Sequence, residues 1–192
     1  MQRDLLEHKP TRKEIQDLRN KRTGLLIFQL SWILVFVCLV VVNWQLRITS
    51  PSWPPAGVEP ISPVLPTLAT VALAASTFLV RRAVQAMKAD DARAFLSRWW
   101  LALVMGAVFV GLMLYEWATI PYSQVYSDVF RMMTGFHVVH AVAIGLFMYG
   151  VGRNAHAGAY HSGNFWPVEG AAGLWYFVLV AWLLFYAALY LV

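Results

Sequence analysis

Long apolar stretches separated by short polar ones dominate the chain. An α-helix rises about 1.5 Å per residue, so a hydrocarbon core of about 30 Å takes about 20 apolar residues to cross. Five runs meet that length: residues 24–44, which carry no charge; 62–80, ending at Arg81-Arg82; 99–120, stopped by Pro121; 132–151; and 171–192. The breaks between them have helix-ending chemistry. Ser50-Pro51-Ser52-Trp53-Pro54-Pro55-Ala56-Gly57 is too rich in proline for a helix interior. Lys88-Ala89-Asp90-Asp91-Ala92-Arg93 reads as a polar turn, and Gly152-Arg153-Asn154 as the opening of the last loop. The pattern predicts an all-α membrane protein, a bundle of about five transmembrane helices over residues 24–192. A polar segment, 1–23, precedes it and reads as helix or coil at the membrane surface. The first apolar run is too long for the core of a cleavable leader.

Composition agrees with that pattern. Hydrophobic residues make up 59% of the chain and charged ones 13%, against about 25% charged in soluble domains. The single cysteine, Cys38, excludes an intrachain disulfide. A net charge of +5 would suggest nucleic acid in a soluble protein. Here every Lys and Arg except Arg47 and Arg131 falls in the N-terminal segment, after the second run, or after the fourth. Those segments lie on one side of the membrane, which puts the N-terminus in the cytoplasm and the C-terminus outside. The basic balance then needs no nucleic acid. Arg81, Arg82, Lys88, Arg93 and Arg98 become candidates for holding anionic lipid headgroups. Trp44, Trp53, Trp99, Trp100, Trp117, Tyr122, Trp175 and Tyr190 lie near run ends and read as interface anchors.

Ionisable groups inside a span are costly, and Glu116, His137 and His140 stand out. The histidines are three apart, on neighbouring stripes of one helix. They suit interhelical hydrogen bonding, with Glu116 within reach, better than a closed metal site of about three or four ligands. His8, His156 and His161 complete no such set. Thr134, His137, Ala141 and Gly145 recur at helical spacing and mark a face that a neighbouring helix approaches closely. A histidine bonded across helices makes a moderate loss of packing the expected result of His137→Leu. No P-loop, nucleophile elbow, cysteine pair or dinucleotide fingerprint is present, so no catalytic residues are assigned. A small transporter using Glu116, His137 and His140 as a proton or metal path is the reading from another class. Its weakness is that no span is polar along its length.

Tyr126, Phe130 and Thr134-Gly135-Phe136-His137-Val138-Val139-His140 resemble the T-G-F-H-x-x-H signature of subunit III of the haem–copper oxidases. Gly106, Gly111 and Tyr115-Glu116-Trp117 resemble the helix before it in that family. Trp175-Tyr176-Phe177-Val178-Leu179-Val180-Ala181-Trp182-Leu183 is similar to its W-H-F-V-D-x-x-W-L. The likeness covers residues 24–192 and fits the short, five-span bacterial form. It implies an accessory subunit without redox centres, in a proton-pumping oxidase of the bacterial cytoplasmic (inner) membrane. Haem and copper would sit in partner subunits, subunit I would pack alongside with subunit II in the same complex, and phospholipid would bind within the helices. Glu116, Thr134, His137 and His140 would form a polar interhelical cluster. Trp175 and Trp182 would anchor the last helix, with Gly135 and Gly145 giving close packing. The chain departs from the family where Tyr176 replaces a histidine and Leu179 an aspartate, and where Trp32 takes the place of a carboxylate. Those departures also resemble a divergent branch, the accessory subunit of nitric oxide reductases.

Overall fold

The computed structural model describes residues 11–120 and 125–191, apart from the side chain of Glu14. The expectations placed on residues 1–10, Pro121, Tyr122 and Val192 lie outside the described residues. Five helices follow one another: α1 (Arg12–Thr49), α2 (Val64–Lys88), α3 (Ala92–Thr119), α4 (Val125–His156) and α5 (Trp166–Tyr186), the last running into a π-helical turn, Ala187–Leu191. All five are long and apolar enough to cross a membrane. Among the described residues the only extended pairing is an isolated bridge between His161 and Asn164. The chain is an integral membrane protein of the all-α class.

The helices begin and end where local chemistry allows. Asp91 caps α3, its carboxylate accepting from the Ala94 N–H at 3.0 Å. Asp90 before it has φ 55°, a left-handed conformation that aspartate tolerates. Pro167 sits in the first turn of α5, where its missing N–H costs nothing. Ile120 is extended ahead of Pro121 and ends α3.

Helices run further than the apolar runs do. Arg81, Arg82 and Lys88 lie on α2, not in a loop, and Arg93 and Arg98 lie in the first two turns of α3. Only residues 89–91 separate the two helices. Gly152, Arg153 and Asn154 likewise belong to α4, and the polar residues 12–23 are helical in continuity with the first span. A charge ends an apolar stretch without ending the backbone ladder. Arginine and lysine are good helix formers whose long stems reach the membrane surface from a turn or two below it.

Two compact units divide within α1, the first ending at Val35 and the second beginning at Phe36. In the first, Gln16 Nε2 donates to Asn20 Oδ1 at 3.0 Å and Phe28 meets Trp32 edge-on. Leu26, Ile27, Phe28, Leu30 and Leu34 are exposed. In the second, α2 packs on α3, α3 on α4, α4 on α5, and α5 back on α2, closing a ring of four helices.

The three-residue α2–α3 turn is clasped to the α4–α5 loop. Ser162 donates to Asp90 twice, from its amide at 2.7 Å and from its hydroxyl at 2.6 Å. Both bonds favour the ionised carboxylate, the hydroxyl bond most, and hold Asp90 below the ordinary value of 3.8. A depressed folded value means that the clasp is fully in place above pH 3.8 and is lost as pH falls through the folded value below it. Deuterium uptake at residues 157–165, corrected for intrinsic exchange, is therefore expected to stay flat down to that pH and rise beneath it. In Asp90→Ala it is expected to be high throughout. Equal uptake in the two proteins at neutral pH would show that the clasp does not hold in solution.

Candidate functional site

The polar groups of the membrane interior divide into a hydrogen-bonded set and an aromatic-walled set. At the end of the ring formed by the C-termini of α3 and α5, Glu116 is 3% exposed. Its Oε2 accepts from the Tyr190 hydroxyl at 3.2 Å. Tyr190 comes from the π-helical turn and packs on Phe130 and Tyr186. Tyr186 in turn meets the Thr67 hydroxyl of α2 at 2.7 Å, and Asn43 Nδ2 donates to the Ala188 carbonyl at 3.4 Å. Arg131, 7% exposed, donates to the Ile120 carbonyl and lies 4.0 Å from Asp128. A cavity of about 630 Å³ opens beside this cluster, lined by Glu59, Ser62, Glu116, Thr119, Tyr126 and Ser127 among others.

His137 and His140 lie deeper. His137 is fully buried, and its ring is surrounded by Phe36, Phe109, Trp182 and Phe185 at centroid distances of 5.7, 5.6, 5.4 and 6.0 Å. Neither of its ring nitrogens has a hydrogen-bond partner among the described residues. His140 packs against Phe36 and Phe177. Thr134 bonds within its own helix, to the Phe130 carbonyl at 2.7 Å. The sequence expectation of a single Glu116–His–Thr134 hydrogen-bonded cluster thus meets a different arrangement, in which the partner of Glu116 is Tyr190 and the wall of His137 is aromatic. The expected sign for His137→Leu changes with it. An unpaired interior polar group costs about 1–3 kcal/mol, which leucine would remove while keeping most of the packing. The variant's unfolding midpoint in detergent should be equal to or above that of the parent, with the haem bands of any co-purified partner unchanged. A clear drop would mean that His137 makes a bond.

Three tryptophans add further interhelical bonds. Trp175 Nε1 donates to Ser76 Oγ at 3.0 Å, and Ser76 donates to the Ala102 carbonyl at 2.7 Å, which ties α5, α2 and α3 together. Trp182 Nε1 donates to Thr70 Oγ1 at 2.7 Å, a second α5–α2 tie. Trp99 Nε1 donates to the Met148 carbonyl at 2.9 Å and joins α3 to α4. Trp99 and Trp175 therefore sit inside the ring and not at its lipid boundary, because the helices extend past the apolar runs that placed them at an edge. Trp44 is exposed. Glycines admit the indoles: a Cβ on Gly106 would lie 2.6 Å from Trp175 Cζ2, and one on Gly135 would lie 2.9 Å from Trp117 Cζ2. Gly145 is looser, its Cβ position 4.0 Å from Trp175.

Sequence reasoning passed over Tyr190 as a partner of Glu116 and counted Arg131 as a loop charge. The signal for the first was a phenol and a carboxylate at the same end of two spans. The five basic candidates all lie at the opposite end of the ring. There Lys88 pairs with Glu169 at 3.4 Å, and Arg98 donates to the Arg82 carbonyl at 3.2 Å. No group of three or more His, Cys, Asp or Glu suited to a metal ion occurs among the described residues.

A family model described as cytochrome c oxidase subunit III matches residues 11–192. A cytochrome c oxidase subunit 3 of Thermostichus vulcanus is 34% identical over 172 residues, covering 88% of this chain and 85% of the relative. One from Synechocystis is 27% identical over 174 residues, covering 88% and 74%. One from Aedes aegypti is 29% identical over 185 residues, covering 88% and 68%. The match takes in all five helices and the T-G-F-H-x-x-H segment of α4, and the chain belongs to the cytochrome c oxidase subunit III family.

Proposed function

We propose that this subunit of a haem–copper oxidase packs against subunit I, with subunit II in the same complex, and holds phospholipid at its basic end. In the family the haem and copper sit in other subunits. What supports the scaffolding role is where the polar interior is directed: Ser76, Thr70 and Glu116 each bond another helix of the same chain. Outward it presents large apolar side chains such as Val139 and Leu146, which suit lipid or a neighbouring subunit. The names of its relatives favour oxygen over nitric oxide as the substrate of the complex.

Deleting the chain from its native membrane tests the role. Subunit I should still be recovered with its haem bands, but in lower yield and with turnover that decays faster. Full assembly and sustained turnover without the chain would end this reading. The bands recovered by a mild-detergent pull-down would separate an oxygen reductase from a nitric oxide reductase. A colourless chain without partners would return the transporter to consideration.

The distribution of charge supports a cytoplasmic N-terminal segment, 1–23, and an outward C-terminus in a bacterial inner membrane. A thiol reagent that cannot cross the membrane should then label Ala159→Cys only in inverted vesicles. Labelling in intact cells would reverse the topology. Arg81, Arg82, Lys88, Arg93 and Arg98 would face the anionic inner leaflet in this orientation.

A further inference from the structure

The cavity of about 630 Å³ at the end of the ring formed by the C-termini of α3 and α5 is lined by two carboxylates, Glu59 and Glu116. They differ in depth. Glu116 is 3% exposed, whereas Glu59, from the segment between α1 and α2, stands open to the surroundings. A carboxylate has room for about four hydrogen bonds, and Tyr190 supplies one to Glu116. Beside it, the Thr119 hydroxyl donates to the Glu116 carbonyl at 2.9 Å, which leaves its oxygen lone pairs to accept. Val58, Ile61 and Leu65 give the cavity an apolar wall. Of the fifteen Lys and Arg residues only Arg47 and Arg131 belong to this end of the spans, and Arg131 is committed to the Ile120 carbonyl and Asp128. The ion pairs among the described residues, Lys88–Glu169 and Arg131–Asp128, include neither Glu59 nor Glu116.

We infer that this cavity receives a lysine or arginine side chain of a partner subunit, its cationic head on Glu116 and Thr119 and its aliphatic stem along Val58, Ile61 and Leu65. The order of the two carboxylates suits such an entry. An exposed charge attracts a cation from water, and a buried one holds it where salt screens little. A buried carboxylate is costly unless a cation or several hydrogen bonds compensate it, and the incoming head supplies both. Long basic side chains lay their methylenes on apolar surface and keep the charge at a polar end, which is the arrangement of this lining. Two carboxylates without a third ligating side chain suit an ammonium or guanidinium better than a metal ion. The inference rests on the reading of this chain as a subunit of a larger complex. To contact through apolar faces it adds a charged anchor, at the end of the ring away from the five basic candidates.

Placing the photoreactive residue p-benzoylphenylalanine at Ile61 in the assembled complex tests it, with the products read by mass spectrometry. The expected product is a partner-subunit peptide with Lys or Arg within a few residues of the cross-link. Glu116→Gln keeps an acceptor for Tyr190 and nearly the same volume. It should speed loss of this chain from the complex about thirtyfold, near the low end for breaking a buried charge pair. Glu59→Lys, an exposed change that leaves the interior untouched, should slow reassociation about tenfold at low salt and less at high salt. Asp128→Asn, at the same end but outside the cavity lining, should alter neither rate. Melting curves establish that each variant is folded. Unchanged rates in both Glu116→Gln and Glu59→Lys would overturn the anchor, as would cross-links only to lipid or to peptides without a basic residue. Stabilisation of the isolated chain by magnesium or ethylammonium, lost in Glu116→Gln, would assign the cavity to a free cation and the inference would be wrong. If the parent recovers no partner subunit at all, the subunit reading itself fails and takes the anchor with it.

Discussion

Gly106→Ala is expected to destabilise the chain by about 1–3 kcal/mol, the usual cost of overpacking an interior. The new methyl would stand 2.6 Å from Trp175 Cζ2 and 2.9 Å from its Cη2. Trp175 has few ways to yield. It is almost fully buried, and its Nε1 is held by Ser76, whose own hydroxyl is committed to the Ala102 carbonyl. The indole also borders an apolar cleft of about 450 Å³ between α3 and α4. A shift into that space relieves the clash only by breaking the tie to Ser76. An SDS titration of the purified chain measures the loss, and Gly111→Ala is the control, since nothing lies within 4 Å of its Cβ position. Equal midpoints for the two variants would show that the helices separate at Gly106 at no cost.

Trp182→Ala should cost more, about 3–5 kcal/mol, as truncation of a buried aromatic does. The ring is fully buried against Phe109, His137 and Tyr186, and its Nε1 reaches Thr70 across to α2. Apolar burial does not favour helix contact in lipid, so van der Waals fit and hydrogen bonds carry the association. Trp182→Ala removes both. Trp182→Phe keeps most of the fit and should cost only about 0.6–2 kcal/mol, the worth of an interhelical bond. The gap between the two variants, read on the same titration and on the yield of the assembled complex, apportions packing against hydrogen bonding. Similar losses from both would assign the role to the N–H alone.

The helices were legible in the sequence because crossing a bilayer imposes a minimum apolar length, and five stretches reach it. Their ends were not. Arg81-Arg82 closes an apolar run, yet α2 continues to Lys88 because the membrane boundary and the hydrogen-bond ladder obey different rules. The same mismatch moved Trp99 and Trp175 from apparent interface anchors to interior ties. Glu116, His137 and His140 were conspicuous as ionisable groups in apolar surroundings, but their partners lie on other helices. One-dimensional spacing ranks the stripes of a single helix and is silent on rotation between helices. It could not tell that Glu116 turns toward Tyr190 while His137 turns toward Trp182 and Phe109.

The ring also bears on how the chain is made. Helices α2 and α3, joined by a three-residue turn and by the Ser76–Ala102 bond, form a hairpin that is complete soon after both have left the ribosome. Within that hairpin the Thr70 hydroxyl bonds only its own helix, at the Pro66 carbonyl, and the space beside Gly106 stays open, because Trp182 and Trp175 belong to the later helix α5. The closing contact of the ring therefore waits on the synthesis of α5. A product truncated before α5 would leave an open seam on α2, with Ser76 and Thr70 deprived of the indole N–H groups that bond them in the closed ring.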